Sequence, residues 1–465
     1  MVSACLLGPS EWAEQHFGEV QLGDIRRTRR AVKVAAHMAA HPAASLPAQA
    51  GNWAATKAGY RFFAQEQVTF DALQTPHWEA TRRTAGQRGV VLMIEDTSDM
   101  NFSNHPATVD LGPIGDGRAR GLMLHSTLAV DPEGSGEVLG LAYQMLFARQ
   151  SAPEEESRAQ RKGRARESEI WPTSVRAVGA PPRGQRWVQV CDRYADNFEV
   201  FEACRQTTCD FVIRAAQDRR AAAGHDADKP NTLLLQGIRV LPAAGATHLN
   251  LRRRPNRQPR QVALSVSWMP VTIFPPWLES KRPAPLKIWA VRVWEPNTPA
   301  GEERIEWVLL SSVPVTELSE ALLVTYWYSL RWLVEEYHKC LKTGCAAEDR
   351  QLEHVERLRP CLGMLAIVAV RLLQLKLYAR SDPQRPAERC ASPSHVRVLA
   401  AYRKRSVENW TVYEFWRDVA KLGGFLGRKG DGEPGWQTIW RGWHKLDLMT
   451  LGASLSVLQE SRTYG

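Results

Sequence analysis

The sequence has no cysteine framework, no internal repeat and no apolar run long enough to cross a bilayer. Its eight cysteines include no C-x-x-C pair and no Cys/His set at zinc-finger spacing; Cys204/Cys209 and Cys340/Cys345 simply sit five apart. That excludes the common zinc modules and leaves reduced thiols acting as small packing residues. The longest apolar run, Cys361 to Val370, stops at Arg371. A membrane span needs about 20 apolar residues, so a buried helix is expected there and no membrane partner. The opening segment MVSACLLGPSEWAEQ has no basic lead and too short an apolar core for a secretory leader, and with the free thiols it points to the cytoplasm.

Acidic residues are also in short supply relative to basic ones. Asp and Glu number 50 against 60 Lys and Arg, a formal charge of +10. Such a balance favours polyanionic partners, although nucleic acid, an acidic membrane surface and simple solubility all fit the total. At 465 residues the chain exceeds what one core usually supports, so two or more units are expected.

From Ser10 to about Leu73 the apolar spacing is helical, with Arg26, Arg27, Arg29, Arg30 and Lys33 crowded after Gly23-Asp24. GVVLMIEDT (89–97) is a continuous apolar run ending in acids, the pattern of a buried central strand. LMLHSTLAV (122–130) and VLGLAYQMLFA (138–148), separated by DPEGSG, extend it to a three-stranded meander. The charged stretch from Ser151 to Arg166 is expected to be helical and carries no chemistry. RWVQVCD (186–192) repeats the strand-then-acid design, and a helical run and the strand DFVIRAA follow. Residues 217–303 read as a β-rich insertion. Helical periodicity returns from Ser319 to Lys342, with Gly344 as its stop, and a Trp-rich helical tail closes the chain.

Asp96 and Asp192 are each expected at the end of an apolar strand, where sheets present side chains to a crevice. Either alone would more often be a cap or turn residue. In YSLRWLVEEYHKCLK, Arg331, Glu335 and Lys342 fall roughly 60°, 20° and 40° from Tyr328 around an ideal helix, whereas Glu336 falls about 80° away in the opposite sense. The four share a face, as does many a solvated helix surface with spaced salt bridges.

The pattern Y-x-x-R-x-x-x-E-x-x-x-x-x-x-K resembles the signature of the bacterial insertion-sequence DDE transposases. Further similar segments come in the same order: LGDIRRTRRAVKVAA near the start, GYRFF (59–63), IEDT (94–97), VCDR (190–193), EEYHKCLKTG (335–344), AVRLLQL (369–375) and LGGF (422–425). The resemblance covers nearly the whole chain except 217–303, and Tyr194 stands where close relatives usually have an acid.

That resemblance implies an α/β fold, an RNase H-like catalytic core with a β-rich insertion, flanked by N-terminal and C-terminal helical domains. The expected units are a helical DNA-end-binding domain (1–73), the core in two parts (74–216 and 304–378) around the insertion (217–303), and a C-terminal helical dimerisation region (379–465). It implies that Asp96, Asp192 and Glu335 are both the catalytic residues and the ligands of two Mg²⁺ ions, for which Mn²⁺ substitutes, because hard cations take carboxylate oxygen. Tyr328, Arg331, Lys339 and Lys342 would contact the DNA backbone, Trp307 would stack on an extruded base, and Arg26, Arg27 and Arg30 would bind the element end. The implied activity is cut-and-paste transposition through a hairpin, by a homodimer on double-stranded DNA, in the bacterial cytoplasm on the nucleoid. A non-cutting inhibitor of transposition and an RNase H-like structure-specific nuclease are the alternatives. Lastly, Trp436, Trp440 and Trp443, broadened by Ile439 and Leu446, form one helical face that must be buried; the resemblance implies that it pairs two protomers, with packing against the chain's own catalytic core as the alternative.

Overall fold

The computed structural model describes residues 7–134, 136–150, 166–226, 229–251, 260–275, 283–299, 301–381, 383–389, 391–428 and 430–460. Most of the charged stretch expected as a helix, residues 151–165, lies outside them. The chain opens with α1 (Pro9–Phe17), α2 (Ile25–Ala40), α3 (Leu46–Ala50) and α4 (Trp53–Phe63). Side chains accept amide hydrogens at three of these helix starts: Asp24 before α2, Ser45 before α3 and Asn52 before α4. Helix α5 (Phe70–Ala85) runs across residue 73 and packs on the sheet.

Strands β1 (Val90–Asn101), β2 (Gly112–Ile114), β3 (Ala119–Asp131) and β4 (Glu137–Phe147) form the expected meander with β2 added at its edge. Helix α6 (Ile170–Val178) leads to β5 (Arg186–Cys191), and α7 (Phe198–Gln206) crosses to β6 (Asp210–Arg214). β5 lies parallel to β1, and β6 parallel to β5. Parallel strands covered on both faces need apolar side chains on both, which explains the unbroken apolar runs. Leu92 and Ile94 of β1 belong to one core cluster, and Val91 and Met93 belong to the cluster on the other face.

The segment read as an insertion contributes β7 (Arg220–Ala223), β8 (Thr232–Leu233), α8 (Leu234–Arg239), β9 (Gly245–Leu251), β10 (Arg260–Ile273) and β11 (Leu286–Trp294). These strands continue the core sheet through β12 (Glu306–Ser311), in the order β2-β3-β1-β5-β6-β12-β11-β10-β7-β8, with β4 on β3 and β9 on β10.

The expected single helix from Ser319 to Lys342 is divided. Helix α9 (Leu318–Ser329) ends, Leu330 and Arg331 form a turn, α10 (Trp332–Lys339) follows, and Cys340–Gly344 widens into a π-helical turn. Helix α11 (Val355–Ser381) is far longer than the apolar run that marked it. Its stretch Val355–Tyr378 would be long and apolar enough to cross a membrane, but 83% of the most apolar window is buried inside the protein, where helices α2, α4, α5 and α10 pack on it.

Helices α12 (Pro393–Arg403), α13 (Val412–Leu422) and α14 (Trp436–Glu460) build a third, separate core. α13 and α14 meet almost backbone to backbone: a Cβ on Gly442 would lie 1.7 Å from the Val419 carbonyl oxygen, so only glycine fits. This packing corrects the expectation for the tryptophan face. Ile439 and Leu446 are buried within the chain's own third core, Trp443 stacks on His395 (4.8 Å, 9°) and lies 5.2 Å from Trp416, and Trp440 packs against the main core. The Trp436 side chain lies outside the described residues.

Candidate active site

Register brings the two aspartates together. Parallel pairing of β1 with β5 ends at Glu95 opposite Cys191, which places Asp96 and Asp192 at the next step on neighbouring strands. Only Asp192 ends its strand. β1 continues to Asn101 because its other edge still pairs with β3, so Asp96 stands mid-strand, contrary to expectation. Asp192 caps a short turn by accepting the Tyr194 N–H at Oδ1 (2.8 Å). Tyr194 itself is 71% exposed, so the departure from the acidic residue usual at its position lies on the surface.

Arg331, in the turn before α10, reaches both remaining carboxylates. Its Nη1 donates to Asp96 Oδ2 (2.8 Å) and its Nη2 to Glu335 Oε1 (2.5 Å), one helical turn on. Burial alone would lower the guanidinium's pKa, but the charges of Asp96, Tyr328, Glu335 and Asp192 hold it above its ordinary value. Burial raises the Asp96 carboxyl; Arg331 opposes that shift, whereas Asp192 and Glu335 add to it as like charges. Asp96, Asp192, Glu335, Tyr328 and Arg331 therefore share one electrostatic environment. Glu336 points elsewhere, paired with Lys376 of α11 and with Lys339.

Tyr328 is buried, and its hydroxyl pKa is raised by burial, an effect partly offset by Arg331 and Arg214. Its ring meets Trp307 edge-on at 5.4 Å, with Trp307 half-buried on β12. Arg214 was not singled out in the sequence. It closes the apolar strand DFVIR, so the strand-end reasoning applied to the acids would have found it.

Lys342 and Lys339 are not drawn into this cluster. The π-helical turn carries Lys342 toward Glu348 (3.7 Å), whose carboxylate also accepts the Asn101 N–H at the far end of β1. Lys339 is exposed and pairs with Glu336 (3.1 Å). The shared face holds for Tyr328, Arg331 and Glu335 and fails at Lys342, because a π turn rotates the helix off its 3.6-residue phase.

Among the described residues no three His, Cys, Asp or Glu side chains are gathered into a ready metal cluster. The donor set nevertheless fits a hard divalent ion: three carboxylates in one field, with a single guanidinium spanning two of them.

At the start of α2, Arg26 is exposed and paired with the cap residue Asp24 (2.7 Å). Arg27 donates to the Leu22 carbonyl (2.9 Å), and Arg30 is half-exposed.

Three family models match the chain in succession. The transposase DNA-binding family covers residues 9–68, the transposase DDE domain 163–371, and the transposase Tn5 dimerisation domain 367–462. Asp192, Trp307, Tyr328, Arg331 and Glu335 fall inside the second match, whereas Asp96 precedes it.

Proposed function

Since the chain belongs to the DDE transposases, enzymes with an RNase H-like core that bind DNA, cleave it and transfer the cut strand as homodimers dependent on divalent metal, we propose a specific site and route for its chemistry. Asp96, Asp192 and Glu335 are the catalytic carboxylates. The supporting observation is Arg331, which bridges Asp96 to Glu335 while the strand register sets Asp192 alongside. The non-cutting inhibitor loses ground because the DNA-binding domain accompanies all three acids, and the simple nuclease because DNA-binding and dimerisation domains flank the DDE domain.

The ions we assign are two Mg²⁺, with Mn²⁺ able to substitute. Bound by the three carboxylates, they would supply Lewis-acid activation of the attacking oxygen and stabilise the leaving one. The planar fork of Arg331 matches phosphate as well as carboxylate, so it positions the scissile phosphate against the acids. Tyr328 and Arg214 hold the neighbouring backbone. Water attacks at the element end and frees a 3′ hydroxyl, which attacks the opposite strand to give a hairpin. Trp307 stacks on the base extruded by that sharp bend and offsets part of the unstacking cost. A second water reopens the hairpin, and the released 3′ ends attack target DNA. Arg26, Arg27 and Arg30 bind the element end, and Lys339 and Lys342 contact DNA farther from the reacting phosphate. The outward face of α14, where Leu448 and Leu451 are 49% and 58% exposed, makes the contact between protomers. The setting is the bacterial cytoplasm, on the nucleoid.

The test incubates the purified chain with DNA carrying its element's own ends and Mg²⁺, and resolves the products on a denaturing gel. Hairpin-ended fragments that appear after nicks and before flush ends are expected. Flush ends formed without hairpins would overturn the route.

A further inference from the structure

The strand register continues Asp96 into a row of buried polar side chains. On the same face of the sheet, Asp96 of β1 lies opposite Ser126 of β3, and Ser126 lies opposite Gln144 of β4. Ser126 and Gln144 are fully buried, as is Gln74 of α5 beyond them. Neither isolated hydroxyls nor amides are cheaply buried, so their partners matter.

Hydrogen bonding gives the row a direction. The Trp78 indole N–H can only donate, and it donates to Gln74 Oε1 (2.9 Å). Gln74 must then present Nε2 to Gln144 Oε1 (2.8 Å). Gln144 in turn donates from Nε2 to Ser126 Oγ (2.9 Å) and to the Tyr337 hydroxyl (2.8 Å). Ser126 Oγ, accepting from Gln144, also shares a hydrogen bond with His338 Nε2 (3.1 Å), whose donor is set by the imidazole tautomer. Flipping either amide would set two donors against each other, so one indole fixes the polarity of the row as far as Ser126.

The row ends on α10. Tyr337 and His338 lie two and three residues after Glu335, and Arg331, four residues before Glu335, clamps the other end of the same helix to Asp96. Helix α10 is therefore tied to the sheet on both sides of Glu335, by ties about two helical turns apart.

We propose that Ser126 and Gln144 are positioning residues: the hydrogen-bonded row Trp78–Gln74–Gln144–Ser126–His338 fixes α10 on β3 and so sets the separation of the Glu335 and Asp96 carboxylates. This rests on the reading of those two acids as the catalytic pair. Catalytic groups lose on the order of 10²-fold in rate when misplaced by about 1 Å, so a loosened row should act through geometry and leave end binding alone.

The experiment uses the full chain with Ser126→Ala, Gln144→Met and His338→Gln. Leu124→Ala, a cavity on the same strand, is the packing control. Each is assayed for binding of the element-end duplex, nicking rate with saturating end DNA, melting temperature, and Mn²⁺ affinity from free Mn²⁺ counted by electron paramagnetic resonance. The row variants should bind ends normally, nick on the order of 10²-fold more slowly, and hold Mn²⁺ several-fold more weakly; Leu124→Ala should melt earlier without a change in Mn²⁺ affinity. Row variants that resemble Leu124→Ala, or that nick at the wild-type rate, would overturn the proposal. Asp192→Ala run alongside separates the readings: if it still nicks, the assigned acids are wrong, whatever the row does.

Discussion

Helices α10 and α14 carry the same kind of signal in sequence, side chains of one character repeating at helical spacing, and the fold uses the two faces in opposite ways. In α10 the face is charged and partly exposed: Arg331 reaches Asp96 and Glu335, whose side chains keep 19% and 44% of their surface open to solvent. In α14 it is aromatic and aliphatic, and it closes the chain's own third core. Spacing identifies a face; it does not identify what covers it. Charged groups on a helix must find solvent, counter-ions or ligand, whereas an apolar stripe is satisfied by whichever apolar surface is nearest.

The sharpest test of that contrast removes the charges. Asp96→Ala, Asp192→Ala or Glu335→Ala should each slow nicking on the order of 10³-fold or more, over about 4 kcal/mol of barrier, with end binding retained. Glu336→Ala should lose thermal stability through its broken pair with Lys376 and keep most activity per folded molecule. Equal kinetic losses at Glu335 and Glu336 would erase the distinction between catalytic and structural faces.

Helix α14 should behave in reverse. Leu446→Ala, at a fully buried position, should cost about 2–5 kcal/mol of stability. Leu448→Asp with Leu451→Asp should leave the melting temperature near wild type and abolish the two-end complex on a native gel. If Leu446→Ala left stability untouched while breaking the complex, the buried face would be the interface after all.

Much of this was legible in the sequence, and the misses have identifiable causes. The apolar strands follow from hydropathy and helical phase separates Glu335 from Glu336, but only the resemblance to the transposase signature picked out Asp96, Asp192 and Glu335 as a set, and their catalytic role is a proposal. The position of Asp96 within its strand was not legible, because the continuation to Asn101 depends on pairing with β3. Lys342 was misplaced because a π-helical turn breaks the 3.6-residue phase, and no residue type announces one. The row behind the site left a signal that went unread. Ser126 and Gln144 interrupt otherwise apolar strands, and polar side chains at core positions must be answered by other polar side chains.

Trp307 sits between the two cases, being aromatic like the α14 face yet beside the charged site. Trp307→Ala should permit the first nick and reduce hairpin yield several-fold, and Trp307→Phe should recover part of it. Parallel loss of nicking and hairpins, with a lowered melting temperature, would place Trp307 with the α14 stripe as packing.

The smallest effect is expected on the third patterned helix, α2, whose basic face is neither a crevice nor a core. Arg26 is 85% exposed at its side chain and already held by Asp24, whose carboxyl pKa is lowered to about 2 by hydrogen bonds from Arg26. Asp24 is thus ionised at any working pH, and a DNA phosphate must compete with it for the guanidinium. Arg26→Ala should therefore weaken end binding only modestly and lower the slope of log affinity against log salt by about 1. Asp24→Asn provides the complementary test. Asparagine keeps an oxygen for the helix cap but carries no charge, so the helix survives while Arg26 is released. Binding should then tighten at low salt, and the slope should not fall. Unchanged affinity and slope in both variants would move Arg26 off the DNA and leave α2 with a solvated surface.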